Sequence, residues 1–124
     1  MHALSAAPSL ALAALLCLSA THATTTQASD PDGIVALIAE EAHAYGISPS
    51  WLLAVALCET GGTLRTDLVG RQGEIGLFQW HPYGLWRSVP IFTTWGDVYD
   101  VRLNVRGAAW AFARGWSSHW SCAR

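Results

Sequence analysis

Helix boundaries are spelled out in this chain before any hydrophobic pattern is consulted. Asp30-Pro31 and Ser48-Pro49 each join a capping side chain to a proline. Proline suits the first helical position, where its missing N–H has no partner to lose. Gly46 and Gly61-Gly62 follow as stops, because glycine enters the left-handed conformation that closes a helix. Between Pro31 and Gly46, Ile34, Leu37, Ile38 and Ala42 recur at helical spacing. Glu40 and His43 fall off that stripe and read as solvated. Glu41 falls on it and reads as a side chain reaching past the core to water. The second helix holds Trp51 through Thr60 without a breaker. A third starts near Asp97, carries Val98, Val101, Val105, Ala108 or Ala109, and Phe112, and stops at Gly115. Gly107 inside it costs about 1 kcal/mol against alanine and reads as a close helix–helix contact.

Residues 63–96 show no sustained helical period. They are rich in Gly, Pro, Trp and Thr, with room for short strands or helical turns. A loop this long in a small domain is usually functional. The expected fold class is mainly α: a small domain with helices around an irregular middle loop region.

The chain has 124 residues, enough for one domain. Residues 1–23 read as a secretory signal peptide. Leu10, Leu12, Leu15, Leu16 and Leu18 form its apolar centre, and Thr21-His22-Ala23 fits a cleavage site. The run is too short and too rich in Ala and Ser for a stable membrane span. Cys17 follows Leu16 and does not suit a lipid-attachment site. Residues 24–29 read as a linker and 30–124 as the domain, located after processing outside the cell, in the periplasm or at the cell wall. Stable membrane insertion is not expected. The net charge is −2 and every cation is an arginine, with no basic run, so nucleic acid is not an expected partner. Export makes a disulfide between Cys58 and Cys122 the expectation over two buried thiols. It closes a long loop, worth roughly 4 kcal/mol.

Glu59 is the candidate for chemistry. Leu52, Val55, Ala56 and Glu59 share one face of the second helix. A carboxyl on an apolar stripe is partly desolvated, and the last helical turn is the negative end of the dipole. Both effects favour the protonated form. A carboxyl that keeps its proton near neutral pH is a usable general acid.

Cys58-Glu59-Thr60-Gly61-Gly62, with Gly73-Glu74-Ile75-Gly76-Leu77-Phe78-Gln79-Trp80, resembles the lysozyme-like superfamily. Within it, the chain is similar to the soluble lytic transglycosylase domain and to the resuscitation-promoting-factor domain. Thr60 stands where the former has Ser after Glu, and Phe78 where it has Met. Asn104-Val105-Arg106-Gly107-Ala108-Ala109 matches a later Asn followed by a small-residue helix. The resemblance spans roughly residues 34–114. It implies a small lysozyme-like fold and a bacterial peptidoglycan glycan strand as partner, cut between N-acetylmuramic acid and N-acetylglucosamine. It implies Glu59 as catalytic acid and base, Gly76, Phe78 and Gln79 lining the glycan groove, and Thr60 as the hydroxyl beside the glutamate; Trp80 is a further substrate-binding candidate. Glu59 would protonate the glycosidic oxygen, then deprotonate the sugar's C6 hydroxyl, giving a 1,6-anhydro product. No cofactor is implied.

A hydrolytic muramidase more often uses two carboxylates. Glu74 and Asp67 are the candidates for the second, against a bland reading of each as an exposed loop residue. The chain lacks the Ala-Tyr-Asn-Ala-Gly type stretch of transglycosylase domains, which pulls it toward the resuscitation-factor side. There, too, a helix-end cysteine pairs with one near the C-terminus. A non-catalytic wall-binding module and a protein-docking surface are the rivals of another class. Among the seven tryptophans, Trp51 and Trp110 read as core. Trp80, Trp86 and Trp95 read either as sugar platforms or as core rings. His43, His81 and His119 show no metal-ligand spacing, and no metal site is expected.

Overall fold

A computed structural model describes residues 30–124. The expected signal peptide (1–23) and linker (24–29) lie outside the described residues. The fold is a small, mainly α domain, with three α-helices among the described residues: α1 (Pro31–Ala44), α2 (Pro49–Glu59) and α3 (Val101–Ala113). No helix of the described residues is long and apolar enough to cross a membrane.

The helix starts follow from the caps. Asp30 accepts the Gly33 N–H at 2.7 Å, and Ser48 accepts that of Trp51 at 3.3 Å. Gly46 and Gly61, just past the two helix ends, take φ of 69° and 61°. The start of α3 differs from expectation. Asp97 bonds the Thr93 and Thr94 N–H groups, opening a separate 3-10 turn, Trp95–Tyr99. The chain then straightens at Asp100, whose carboxylate caps α3 through the Leu103 N–H at 2.9 Å. Two acidic caps three residues apart gave two helical pieces where the spacing suggested one.

Helix α1 packs against both α2 and α3. Ile34, Ile38, Leu52, Val55 and Val105 are essentially solvent-free at that junction, each contributing about 1.5–3 kcal/mol over exposure. Glu41 corrects its expectation. It is 3% exposed and receives Arg102 at 2.9 Å and Arg106 at 3.1 Å. It therefore ties α1 to α3 instead of reaching water. Both arginines stay partly in solvent, which limits the desolvation cost.

The middle segment has no strand among the described residues. Isolated antiparallel bridges pair Val69 with Ile75 and Ile75 with Trp80. A 3-10 turn, Leu85–Ser88, follows. Asn104 of α3 holds this segment. Its Oδ1 accepts the Phe78 N–H at 3.1 Å. Its Nδ2 donates to the Ile75 and Val98 carbonyls at 3.0 and 2.8 Å. Its backbone carbonyl accepts the Trp80 indole N–H at 3.0 Å. Gly76 passes so close that a Cβ there would sit 2.5 Å from Nδ2.

Aromatic rings fill the space behind. Trp80 packs edge-on against Phe92 and Trp120, and Trp120 continues to Phe112. Gly107 makes room for Phe92 and Trp80, so the close approach is helix to aromatic rings, not helix to helix. Trp51 is not core: it is 37% exposed, lying over Phe112 with ring centres 4.9 Å apart. Trp110 is only partly buried, between Trp116 and the Arg114 guanidinium. Trp51 meets the ring cluster through Phe112, while Trp110 pairs with Trp116 outside it; Ile, Leu and Val side chains fill the helix junction instead.

Asn104→Ala strands three buried backbone groups. It should lower unfolding free energy by about 3–4 kcal/mol in a denaturant titration. A loss below about 1 kcal/mol would remove Asn104 as the anchor of the middle segment.

Candidate functional site

The site grows from the end of α2. Glu59 is the last helical residue, half-buried. Thr60 turns the chain away. Its hydroxyl donates to the Ala56 carbonyl at 2.8 Å and accepts the Leu64 N–H at 3.0 Å. Cys58 is bonded to Cys122, 64 residues on, with Cα atoms 5.8 Å apart. The bridge brings the tail, with its short turns Ser117–His119 and Ser121–Ala123, against the end of α2. Trp120 fixes the same tail from below, donating its indole N–H to the Phe78 carbonyl at 2.8 Å.

Between this tail and the middle segment lies an open groove of about 620 Å³, within the roughly 300–1,000 Å³ of small-molecule clefts. Glu59, Glu74, Gln79 and Trp80 line it together. Partial burial pushes the Glu59 carboxyl above the ordinary carboxylate value. The Cys122 backbone N–H opposes this, and the Glu74 charge adds to it. Such a carboxyl is a proton donor held next to a space that a ligand can enter.

Glu74 is itself engaged, accepting the Gln72 N–H at 2.9 Å. Gln79 takes a φ of 46°, and its amide donates to the Gly76 and Leu68 carbonyls at 2.8 and 3.3 Å. Those bonds offset the cost of the left-handed backbone. Gly70 leaves space for both side chains; a Cβ there would collide with the Glu74 carboxylate and the Gln79 amide oxygen.

The other expected lining residues fall elsewhere. Phe78 is fully buried beneath the groove. Gly76 is buried against Asn104, and the Thr60 hydroxyl is spent on backbone groups. None of the three has a surface free for a sugar. They shape the floor and the end of α2. Trp80 is 2% exposed, which leaves an edge at the groove and no face to stack on. Trp86 and Trp95 pack on each other and do not line it. Asp67 is exposed and paired with Arg65 at 3.1 Å. That guanidinium holds its carboxyl below the ordinary value.

Sequence reasoning missed the far wall. Arg71, Gln72 and His81 come from the middle segment, and His119, Trp120 and Ser121 from the tail. The signal for the tail was present: a bridge from Cys122 to the neighbour of Glu59 brings residues near 122 beside that carboxyl. His81 accepts the Tyr83 N–H at Nδ1, 3.1 Å away. Its Nε2 therefore carries the proton and donates to Gln72 Oε1 at 3.1 Å. Among the described residues, no group of three His, Cys, Asp or Glu is placed to hold a metal ion. No protein-family model matches the chain, and no curated protein or solved structure matches it.

A raised carboxyl pKa has a signed consequence. The folded chain holds the Glu59 proton at pH values where the unfolded chain has released it. Stability from this group is therefore lost as pH climbs from the ordinary carboxylate range through the raised value. Glu59→Gln should melt a few degrees above the parent at pH 7 and show no such gain at pH 3. An equal or lower melting temperature at pH 7 would contradict the burial effect.

Proposed function

We propose that this chain cleaves the glycan strands of bacterial peptidoglycan, with Glu59 as general acid and base. The observation that carries this is a half-buried carboxyl, pushed toward its protonated form, on the wall of an open groove. The ordered motifs around Glu59, Gly76 to Gln79 and Asn104 support the substrate class, through their resemblance to lysozyme-like glycan cleavers. The fold proposed within the mainly α class is the lysozyme-like one. An exported location follows from the reading of residues 1–23 as a signal peptide.

The chemistry runs through one carboxyl. Protonated Glu59 donates to the glycosidic oxygen between N-acetylmuramic acid and N-acetylglucosamine. The C1–O bond breaks as positive charge develops at C1. The Glu59 carboxylate then takes the proton from the C6 hydroxyl of the same sugar, whose oxygen bonds C1. The products are a 1,6-anhydro end and a free sugar hydroxyl, and Glu59 is protonated again. Partial burial helps the first step, and the Cys122 N–H steadies the carboxylate for the second.

A hydrolytic muramidase is the second reading, favoured by Glu74. This carboxylate lines the same groove, close enough for its charge to raise the Glu59 pKa. In that case water replaces the C6 hydroxyl as nucleophile, with Glu74 as the second carboxylate.

The disulfide-bonded protein, Glu59→Gln and Glu74→Gln should be incubated with purified peptidoglycan and the fragments weighed by mass spectrometry. The expected result is anhydro-ended muropeptides from the parent, loss of at least about a hundredfold with Glu59→Gln, and persistence with Glu74→Gln. Reducing ends heavier by one water, lost with either variant, would select the hydrolase. Binding without fragments from any form would leave a wall-binding module.

A further inference from the structure

Arg71 stands apart from the other cations of this chain. Arg65 pairs with Asp67, and Arg102 and Arg106 pair with Glu41. Arg87 and Arg114 lie over the Trp86 and Trp110 rings, and Arg124 bonds the Ser118 carbonyl. Among the described residues, Arg71 is the one arginine without a carboxylate, carbonyl or ring partner. It is also the one arginine lining the groove.

Its backbone is held firmly. Gly70 and Gly73 close a turn around it, the Gly73 N–H bonding the Gly70 carbonyl at 3.1 Å. The Gly70 N–H bonds the Glu74 carbonyl at 2.8 Å. The Glu74 carboxylate secures the turn through the Gln72 N–H, so that carboxylate serves the backbone and leaves the guanidinium free. The remaining formal charges on the lining, Glu59 and Glu74, are acidic. A neutral glycan gives such an arginine nothing to neutralise, and an anionic one would be repelled from this groove without it.

We propose that Arg71 is a specificity-determining residue, binding a carboxylate carried on the glycan. This rests on the function proposed above. Alternate sugars of that strand carry a lactyl group, whose carboxylate is either free or extended by a peptide with carboxylates of its own. A guanidinium meets a carboxylate through two parallel N–H bonds, which a lysine does not reproduce. Arg71 selects acid-bearing strands over neutral chains of N-acetylglucosamine.

The test measures binding, so that it does not depend on turnover. In a Glu59→Gln background, calorimetry follows four soluble ligands: peptide-bearing strands, peptide-free strands, and each of these with its carboxylates converted to methylamides. The chain with Arg71 intact should prefer the acid form about tenfold. Arg71→Gln should bring that preference close to unity, and Arg71→Lys should retain part of it. Arg71 is exposed, so neither substitution disturbs the core. Preference confined to peptide-free strands assigns the lactyl carboxylate; preference confined to peptide-bearing strands assigns the peptide. An undiminished preference in Arg71→Gln, with binding intact, overturns the assignment to Arg71 and leaves the proposed substrate standing. Failure of every form to bind any strand overturns the glycan reading and this proposal with it.

Discussion

One buried amide holds the middle segment of this molecule in place. Asn104 reaches from α3 to three backbone groups: those of Phe78 and Ile75, in a segment with no α-helix or continuous sheet, and that of Val98, in the 3-10 turn before α3. Each would otherwise be a buried polar group without a partner, at a cost of about 1–3 kcal/mol. The amide suits this task because it donates and accepts at once. An aspartate would lose the two donor bonds; a leucine would lose all three. Gly76 complements it, since only a residue without Cβ fits against Nδ2. The pattern of Gly76 and Asn104, far apart in the chain, is thus one structural device.

A second constraint completes the groove. The Cys58–Cys122 bridge lies beside Glu59 in sequence at one end and brings the tail to that carboxyl at the other. Closing a loop of this length contributes about 4 kcal/mol by restricting the unfolded chain. Its local effect matters as much for the site: the tail lines the groove beside Glu59 and supplies the Cys122 N–H that opposes the effect of burial on that carboxyl. Trp120 secures the same tail to Phe78. Phe78 is therefore a meeting point for α3 through its N–H and for the tail through its carbonyl, and its buried ring packs edge-on against Phe112.

Helix boundaries were legible wherever a capping side chain preceded a proline and a glycine closed the segment. They were less so at Asp97 and Asp100, where each carboxylate serves its own helical piece and the spacing alone suggests a single helix. Periodicity placed Glu41 on a buried face but not its partners, because Arg102 and Arg106 lie on another helix and their approach depends on how α1 meets α3. Glu59 was readable from its place on an apolar stripe at a helix end. The residues lining the groove were harder. Spacing cannot tell a residue that faces a ligand from one that builds the floor beneath it, and Phe78, Gly76 and Thr60 prove to be the latter. The tryptophans divide for the same reason: a ring's abundance in the sequence says nothing of which face is left to solvent.

The proposed cleavage requires a glycan lying across the groove with its scissile bond at Glu59. The most direct measurement is a crystal structure of Glu59→Gln soaked with a tetrasaccharide of alternating N-acetylglucosamine and N-acetylmuramic acid. The glycosidic oxygen should lie about 2.6–3.2 Å from the side-chain amide at position 59, with the chain running between the middle segment and the tail. A saccharide seated on another face, with solvent alone filling the groove, would contradict it.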